Sequence, residues 1–412
     1  MPPSLSVEEQ IQVLRPGVEE ILSEEELRAK IERSLKTGRP LRVKQGFDPT
    51  APDIHLGHTV GLRILRRFQS LGHRIVLIVG DYTALVGDPS GRSVTRPRLS
   101  REQILANAKT YQDQFFKILD RDQTEVRFNG EWFAEMRFSD VLELCARFTV
   151  ARLLERDDFQ KRFRENVPIS LHELLYPVMQ GYDSVVIQAD VEIGATEQKF
   201  NLLAARGLQK DHDQEPQVAL TFPVLPGLDG VRRMSKSIGN YVGVAEPPEQ
   251  MYGKLMSIPD DLTGVYVAQL AQWSPDETAE ALRGLARGED PMGWKSRLAE
   301  HLVSVYHGAQ AAEGARAHFD RVVRRKEEPE DVAEQRVVAW APTLWLPRLL
   351  KECGLAPSTS EARRLIASGG VMVDGEKVTR EETELPGTDG AAYRLKVGKR
   401  RFLRIVIEGP RA

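Results

Sequence analysis

The sequence predicts a doubly wound α/β domain with a parallel sheet, followed by an α-helical domain and a small α+β domain. Three features of its 412 residues carry that expectation. The run at 75–79 is almost wholly apolar and strand-sized, as expected of a strand covered on both faces of a parallel sheet. Strand-like and helix-like segments alternate over about 200 residues from position 41 onward. Past Gly239 strand signals fade, and they return only beyond a charged stretch at 324–334 that contains Pro329.

Taken in order, the first helix follows a Ser23-x-x-Glu26 capping box and places Leu27, Ile31 and Leu35 at helical spacing. Residues 41–47 read as a strand, 56–71 as a helix and 75–79 as a strand, a candidate parallel βαβ unit. Helical patterns follow at 102–119, 139–148 and 171–180, with short strands expected at 126–128, 184–188 and 218–222. Residues 247–257 and the Ala- and Arg-rich stretch 275–319 read as helices, and 324–334 as a linker. In the last part, 344–353 is helical and Ser358-x-x-Glu361 caps a second helix that ends at Gly369-Gly370. Residues 371–373 and 376–378, joined by Asp374-Gly375, form a hairpin signal, and strands are expected at 393–397 and 402–407.

Composition narrows the class. Hydrophobic residues make up 41% and charged residues 28%, which excludes disordered and collagen-like chains. Two cysteines, Cys145 and Cys353, are too few for a zinc cluster or a disulfide framework, so a reducing cytoplasm is expected. The N-terminus has neither a basic start nor an apolar core, so no secretory signal is expected, and no run is long enough to span a membrane. The net charge is −3, yet residues 340–412 hold 13 Lys and Arg against 9 Asp and Glu, leaving 44 against 51 before them. A basic tail behind an acidic body suggests a polyanionic partner.

Two segments carry chemistry. Gly46-Phe47-Asp48-Pro49-Thr50 and His55-Leu56-Gly57-His58 lie between the first βαβ strand and its helix, where open α/β sheets bind ligands. His55 and His58, three apart, share a helical face and can donate to phosphate oxygens, and Gly57 admits a flat ring or phosphate close to the backbone. A metal-binding His pair is the alternative, but neither an acidic neighbour nor cysteine supports it. The second segment, Arg232-Arg233-Met234-Ser235-Lys236-Ser237, suits a mobile loop that closes on a polyphosphate, with Lys236 as a point charge. A solvated turn would show the same bare pattern. No P-loop signature occurs.

Together, these motifs resemble His-x-Gly-His and Lys-Met-Ser-Lys-Ser of the class I aminoacyl-tRNA synthetases. The residues between them resemble the bacterial tyrosyl-tRNA synthetases: Gly46 to Thr50, Gly87-Asp88-Pro89-Ser90-Gly91, Tyr176-Pro177-x-x-Gln180-x-x-Asp183, and Ile193-Gly194 to Gln198. The C-terminal part resembles the RNA-binding domain shared with a small-subunit ribosomal protein.

This resemblance implies a Rossmann-like, nucleotide-binding catalytic domain at 1–238 with N-terminal helices and a connective insertion. It further implies a helical anticodon-binding domain with linker at 239–334, and a basic α+β RNA-binding domain at 335–412. The implied activity is tyrosine–tRNA ligation, in which the amino-acid carboxylate attacks the α-phosphate of ATP and tyrosine then passes to the 3′ end of tRNA(Tyr). That carboxylate is already ionised at neutral pH, so catalysis rests on positioning and on donors aimed at developing charge. The implied catalytic groups are His55, His58, Arg233 and Lys236. ATP would contact Gly46, Asp48, Thr50, His55, Gly57, His58, Ser235, Lys236 and Ser237. Tyrosine would contact Thr83, Asp88, Tyr176, Gln180, Asp183, Glu197 and Gln198, with Asp183 accepting from the phenol. RNA would meet Arg363, Arg364, Lys399, Arg400 and Arg401. Magnesium is expected to arrive on ATP as co-substrate, with no resident metal and no tightly bound cofactor. The resemblance also implies a homodimer, with no membrane or DNA partner.

Three departures from the family stand out. Lys44 occupies the place of a tyrosine that contacts the substrate hydroxyl in many relatives, Gln45 a place often held by cysteine, and Arg233 that of the first loop lysine. Glu197 stands where many carry aspartate. Tryptophan activation, a non-catalytic RNA-binding scaffold and a small-molecule adenylyltransferase are the competing readings. The basic tail argues against the first and third, and the intact His55, His58 and Lys236 against the second.

Overall fold

The computed structural model describes residues 5–49, 53–89, 100–324, 334–398 and 401–409, and the chain folds into two compact units, 1–316 and 317–412. Thr50, Ser90, Gly91, Lys399, Arg400 and most of the 324–334 linker lie outside the described residues, as does the side chain of Ser237.

The first unit is built on one six-stranded sheet. Its strands are β1 (Glu20–Leu22), β2 (Arg42–Phe47), β3 (Arg74–Val79), β4 (Thr124–Phe128), β5 (Val191–Ala195) and β6 (Val218–Phe222), in the order β1-β6-β5-β2-β3-β4. β1 is antiparallel to β6, and every other pair is parallel. From β2 the chain winds outward through β3 and β4, then returns to the opposite side of β2 with β5 and β6. The reversal falls between β2 and β5, which pair only at Val43–Val191 and Lys44–Glu192 before parting. A crevice at the carboxyl ends of those two strands is the geometric result. Ile75 to Val79 of β3 are buried throughout, as a strand covered on both faces requires.

One strand expectation fails. Residues 184–188 are not a strand: Pro177 sits in the first turn of a helix, Tyr176–Ile187, which runs through the β-branched Val185 and Val186 and ends at Gln188 in a left-handed conformation (φ 51°). Tertiary packing overrides strand propensity here, because Val185 and Ile187 are buried. The true strand is β5, whose Glu192 and Gly194 disguise it in the sequence. Leu171–Leu175 forms a 3-10 turn ahead of the helix.

Beyond β6 the first unit is helical, with Pro248–Met256, Thr263–Leu270, Pro275–Ala286, Pro291–His307 and Ala309–Phe319. The stretch 275–319 is thus three helices, broken where Asp290 (φ 40°) and Gly308 (φ 91°) turn left-handed. Thr263–Leu270 carried no separate signal in the sequence.

The second unit carries β7 (Glu334–Val338), β8 (Thr343–Trp345), β9 (Val371–Val373), β10 (Glu376–Val378), β11 (Glu384–Pro386), β12 (Ala392–Val397) and β13 (Arg401–Glu408). Five of them form a sheet in the order β10-β9-β12-β13-β7, and β8 pairs with β11. Residues 344–345 therefore belong to a strand, and the expected helix starts at Leu346 with Pro347 in its first turn. Ser358 caps the helix Thr359–Ala367 by accepting from Glu361 N. Asp374 (φ 49°) and Gly375 (φ 86°) make the expected hairpin turn. Leu349, Leu350, Ile366, Val371, Leu395 and Ile405 form its core. Among the described residues no helix is long and apolar enough to cross a membrane.

Candidate active site

A cavity of about 520 Å³ opens at the carboxyl ends of β2 and β5. Its lining includes His55, Gly57 and His58 from the start of the helix Leu56–Ser70, and Arg233, Met234, Ser235 and Lys236 from the loop after β6. Asp48, Thr83, Asp88, Tyr176, Gln180, Asp183, Glu197 and Gln198 line the same cavity. Segments about 180 positions apart in the chain are brought together because residues 54–56 pair with the backbone just after the loop. Leu56 N donates to Val242 O (2.9 Å) and Val244 N to Ile54 O (3.1 Å).

The two imidazoles stack, with centroids 3.8 Å apart. His58 Nδ1 accepts from the His55 backbone N–H at 3.1 Å, which leaves the proton of a neutral His58 on Nε2. Burial, then the charges of His58, Lys236 and Arg233, hold the His55 imidazole well below its usual pKa, so it is neutral at pH 7. A side chain at Gly57 would press on the His55 ring at 3.1 Å.

The loop is knitted by Asn240, which donates to Asp229 Oδ2 (3.0 Å) and Arg233 O (3.1 Å) and accepts from Ser235 N (2.8 Å). Lys236 reaches across to the Asp53 carbonyl, with the Asp53 carboxylate 3.9 Å away. Burial lowers the Lys236 pKa, and Asp53 partly offsets this. Arg233 donates to Glu197 Oε1 at 2.5 Å, and burial raises the Glu197 pKa while Arg233 opposes the rise.

Deeper in the cavity the polar groups are linked by hydrogen bonds in two clusters. Asp183 is fully buried and accepts from Trp132 Nε1 (3.0 Å) and Asn129 Nδ2 (3.4 Å). Burial pushes its pKa up to about 7 against the pull of Lys44 and these donors. Thr83 donates to Asp48 Oδ1 (2.8 Å), and Tyr176 donates its phenol to Asp48 Oδ2 (2.9 Å). Gly80 is required beside this pair, because a Cβ there would lie 2.2 Å from both Asp48 Oδ1 and Thr83 Oγ1. Asp88 accepts from Gln198 Nε2 (2.8 Å) and from Arg156 Nη2 (3.3 Å), and Asn201 bridges Gln180 and Gln198 at 2.8 Å each.

Sequence reasoning missed Asn129, Trp132, Arg156, Glu192 and Asn201. Asn129 and Trp132 come from one short helical turn (Gly130–Phe133 with its N-cap), whereas Arg156, Glu192 and Asn201 come from other elements, and no motif in the sequence marks them. Of the RNA candidates, Arg363 pairs with Glu381 (2.6 Å), Arg364 with Glu361, and Arg401 donates to Leu355 O (2.6 Å), all within the second unit.

Comparison with known proteins places this site in a family. Residues 36–324 match the family model for class I tRNA synthetases (W and Y), and residues 344–389 match the S4 domain. The chain is 53% identical over 400 residues to the tyrosine–tRNA ligase of Moorella thermoacetica, covering 97% of this chain and 96% of that one. It is 52% identical to the ligase of Geobacter metallireducens, over 98% of this chain and all of that one. A solved tyrosyl-tRNA synthetase complexed with L-tyrosine, from Archaeoglobus fulgidus, shares the fold at 22% identity, with a TM-score of 0.61 over 75% of this chain and 99% of that one.

Proposed function

Since the chain belongs to the class I tRNA synthetase family, as a tyrosine–tRNA ligase, we propose that the cavity between β2 and β5 is where it makes and consumes tyrosyl-adenylate. The observation that carries this reading is the convergence of His55, His58 and Lys236 with the buried Asp183 in one cavity.

ATP enters as the magnesium complex and lies over Gly46 and Asp48 toward His55, Gly57, His58, Ser235 and Lys236. Tyrosine lies deeper, its phenol donating to Asp183, its ring beside Thr83 and its ammonium toward Asp88, Gln180 and Tyr176. The tyrosine carboxylate forms a bond to the α-phosphorus as the bond to the pyrophosphate oxygen breaks. Charge accumulates on the phosphate oxygens, where His58 Nε2–H, Lys236 and Arg233 stabilise it more than they stabilise the ground state. Arg233 exchanges Glu197 for a phosphate oxygen during that step. A ribose hydroxyl at the tRNA terminus then attacks the carbonyl of the mixed anhydride and AMP leaves.

The S4-type second unit, with its exposed Arg363 and Arg364, supplies an RNA contact, and the helices after Gly239 meet the anticodon. A second copy of the chain covers the exposed apolar side chains of the 138–171 segment, among them Phe138 (76% exposed) and Leu171 (79%). The reaction is assigned to the cytoplasm, where Cys145 and Cys353 remain thiols.

Pyrophosphate exchange into ATP, measured with each of the twenty amino acids, tests the reading. Exchange driven by tyrosine is expected; exchange driven by tryptophan instead would overturn it.

A further inference from the structure

Lys44 and Glu192 are register partners on β2 and β5, at the point where the winding of the sheet reverses. Both side chains are sealed from solvent, at 0% and 1% exposure, with Nζ 2.9 Å from Oε1. A pair buried this deeply offsets its desolvation only if its remaining hydrogen-bonding capacity is also used. Here it is. Lys44 Nζ also donates to Gln180 O (2.9 Å) and Ser184 Oγ (2.8 Å). Glu192 also accepts from Gln180 Nε2 (3.1 Å), Ser184 Oγ (3.0 Å) and Gln217 Nε2 (2.5 Å).

Two of these partners, Gln180 and Ser184, sit on the helix that carries Asp183. Gln180 is one turn before it and Ser184 immediately after it, so the pair grips the backbone and the amide on both sides of the carboxyl that is to accept the phenol. Charged side chains of two sheet strands act on Asp183. Lys44 from β2 favours its anion and Glu192 from β5 disfavours it, whereas Asn129 and Trp132 contribute neutral donors. Asp48 is linked to it through Thr83 and Asn129.

We propose that Lys44 and Glu192 are positioning residues which together set the ionisation of Asp183 and the orientation of the Gln180 amide, and so the strength of tyrosine binding. The proposal rests on Asp183 being the acceptor for the phenol.

The test is the pH dependence of the tyrosine KM in pyrophosphate exchange between pH 6 and 8.5, for the native chain, Lys44→Gln, Glu192→Gln and the double variant. In the native protein the KM should fall as pH rises through about 7. Loss of the Lys44 charge should move that midpoint up by roughly one unit, raising the KM about fivefold at pH 7 with the ATP KM unchanged. Loss of the Glu192 charge should move it down. The double variant, whose two amides can hydrogen-bond each other, should return the midpoint close to native, and it keeps the test open if either single variant fails to fold. A purely structural pair would weaken binding in the same direction in both single variants, with no movement of the midpoint, and either result overturns the proposal. A double variant whose midpoint stays displaced overturns it too. Absence of tyrosine-driven exchange in the native chain would instead sink the reading of the whole site.

Discussion

Arg233 of the loop after β6 and Glu197 of the turn after β5 form an ion pair across the mouth of the cavity, at 2.5 Å. The contact joins two segments 36 positions apart in the chain. A planar guanidinium reaches a glutamate here where a shorter aspartate would leave a gap. The pair is more than a quarter exposed, so it contributes about 1 kcal/mol or less. Glu197→Gln should therefore loosen the loop without disabling it. Limited proteolysis within residues 228–240 should be several-fold faster in the variant without nucleotide and equal to native once ATP saturates. Equal rates without nucleotide would show that the pair does not hold the loop.

His58→Ala should lower kcat for adenylate formation by about 100-fold or more, with a much smaller change in the tyrosine KM. The reason is geometric. His58 Nδ1 already accepts from the His55 backbone N–H, so the proton of the neutral ring sits on Nε2, which can donate to charge that appears only in the transition state. Steady-state exchange kinetics at saturating tyrosine would check this. A loss confined to KM would demote the residue to ground-state binding.

Asp183→Asn should relax discrimination between tyrosine and phenylalanine. Replacing the buried acceptor by an amide removes a hydrogen bond to a charged group, about 2 kcal/mol, or roughly 30-fold in the tyrosine KM. The ATP KM should hardly move, because Asp183 lies at the far end of the network through Asn129, Thr83 and Asp48. Exchange assays with both amino acids measure the ratio directly.

His73 gives a stability prediction away from the site. It is buried beside Phe68, and its Nδ1 accepts from Leu41 N at 3.4 Å. Burial drives its pKa down to about 4, with Asp190 opposing the shift. The unfolded chain takes up a proton near pH 6.5 that the native fold refuses until about pH 4. Stability should therefore fall as pH drops through that window, by up to about 3 kcal/mol, with no contribution from His73 above it. Urea unfolding at pH 4.5 and pH 7 should show a smaller acid loss for His73→Gln than for the native chain. An identical loss would mean that other groups carry the acid sensitivity.

Removal of residues 325–412 should spare pyrophosphate exchange, since the cavity lies wholly within the first unit. Charging of tRNA should weaken, and the salt dependence of tRNA binding should become shallower as phosphate contacts are lost. An unchanged salt slope would exclude the second unit as an RNA contact.

What could be read along the chain was local. Helix starts at Ser23 and Ser358, the Asp374-Gly375 hairpin and the paired imidazoles at 55 and 58 all depend on residues within four positions of one another, whose geometry backbone sterics and capping dictate directly. The segment 184–188 shows where such reading ends. Its β-branched run favours a strand locally, yet the helix with Pro177 in its first turn buries Val185 and Ile187, and the sheet takes the less apolar 191–195 instead. Tertiary structure alone decided that Lys44 would face Glu192, that Arg233 would meet Glu197, and that Asn129 and Trp132 would serve Asp183. Each of these contacts is set by parallel strand register or by loop placement between elements far apart in sequence. A buried charge finds its partner through the assembled sheet, because only there does exclusion of water make the pairing worth its desolvation.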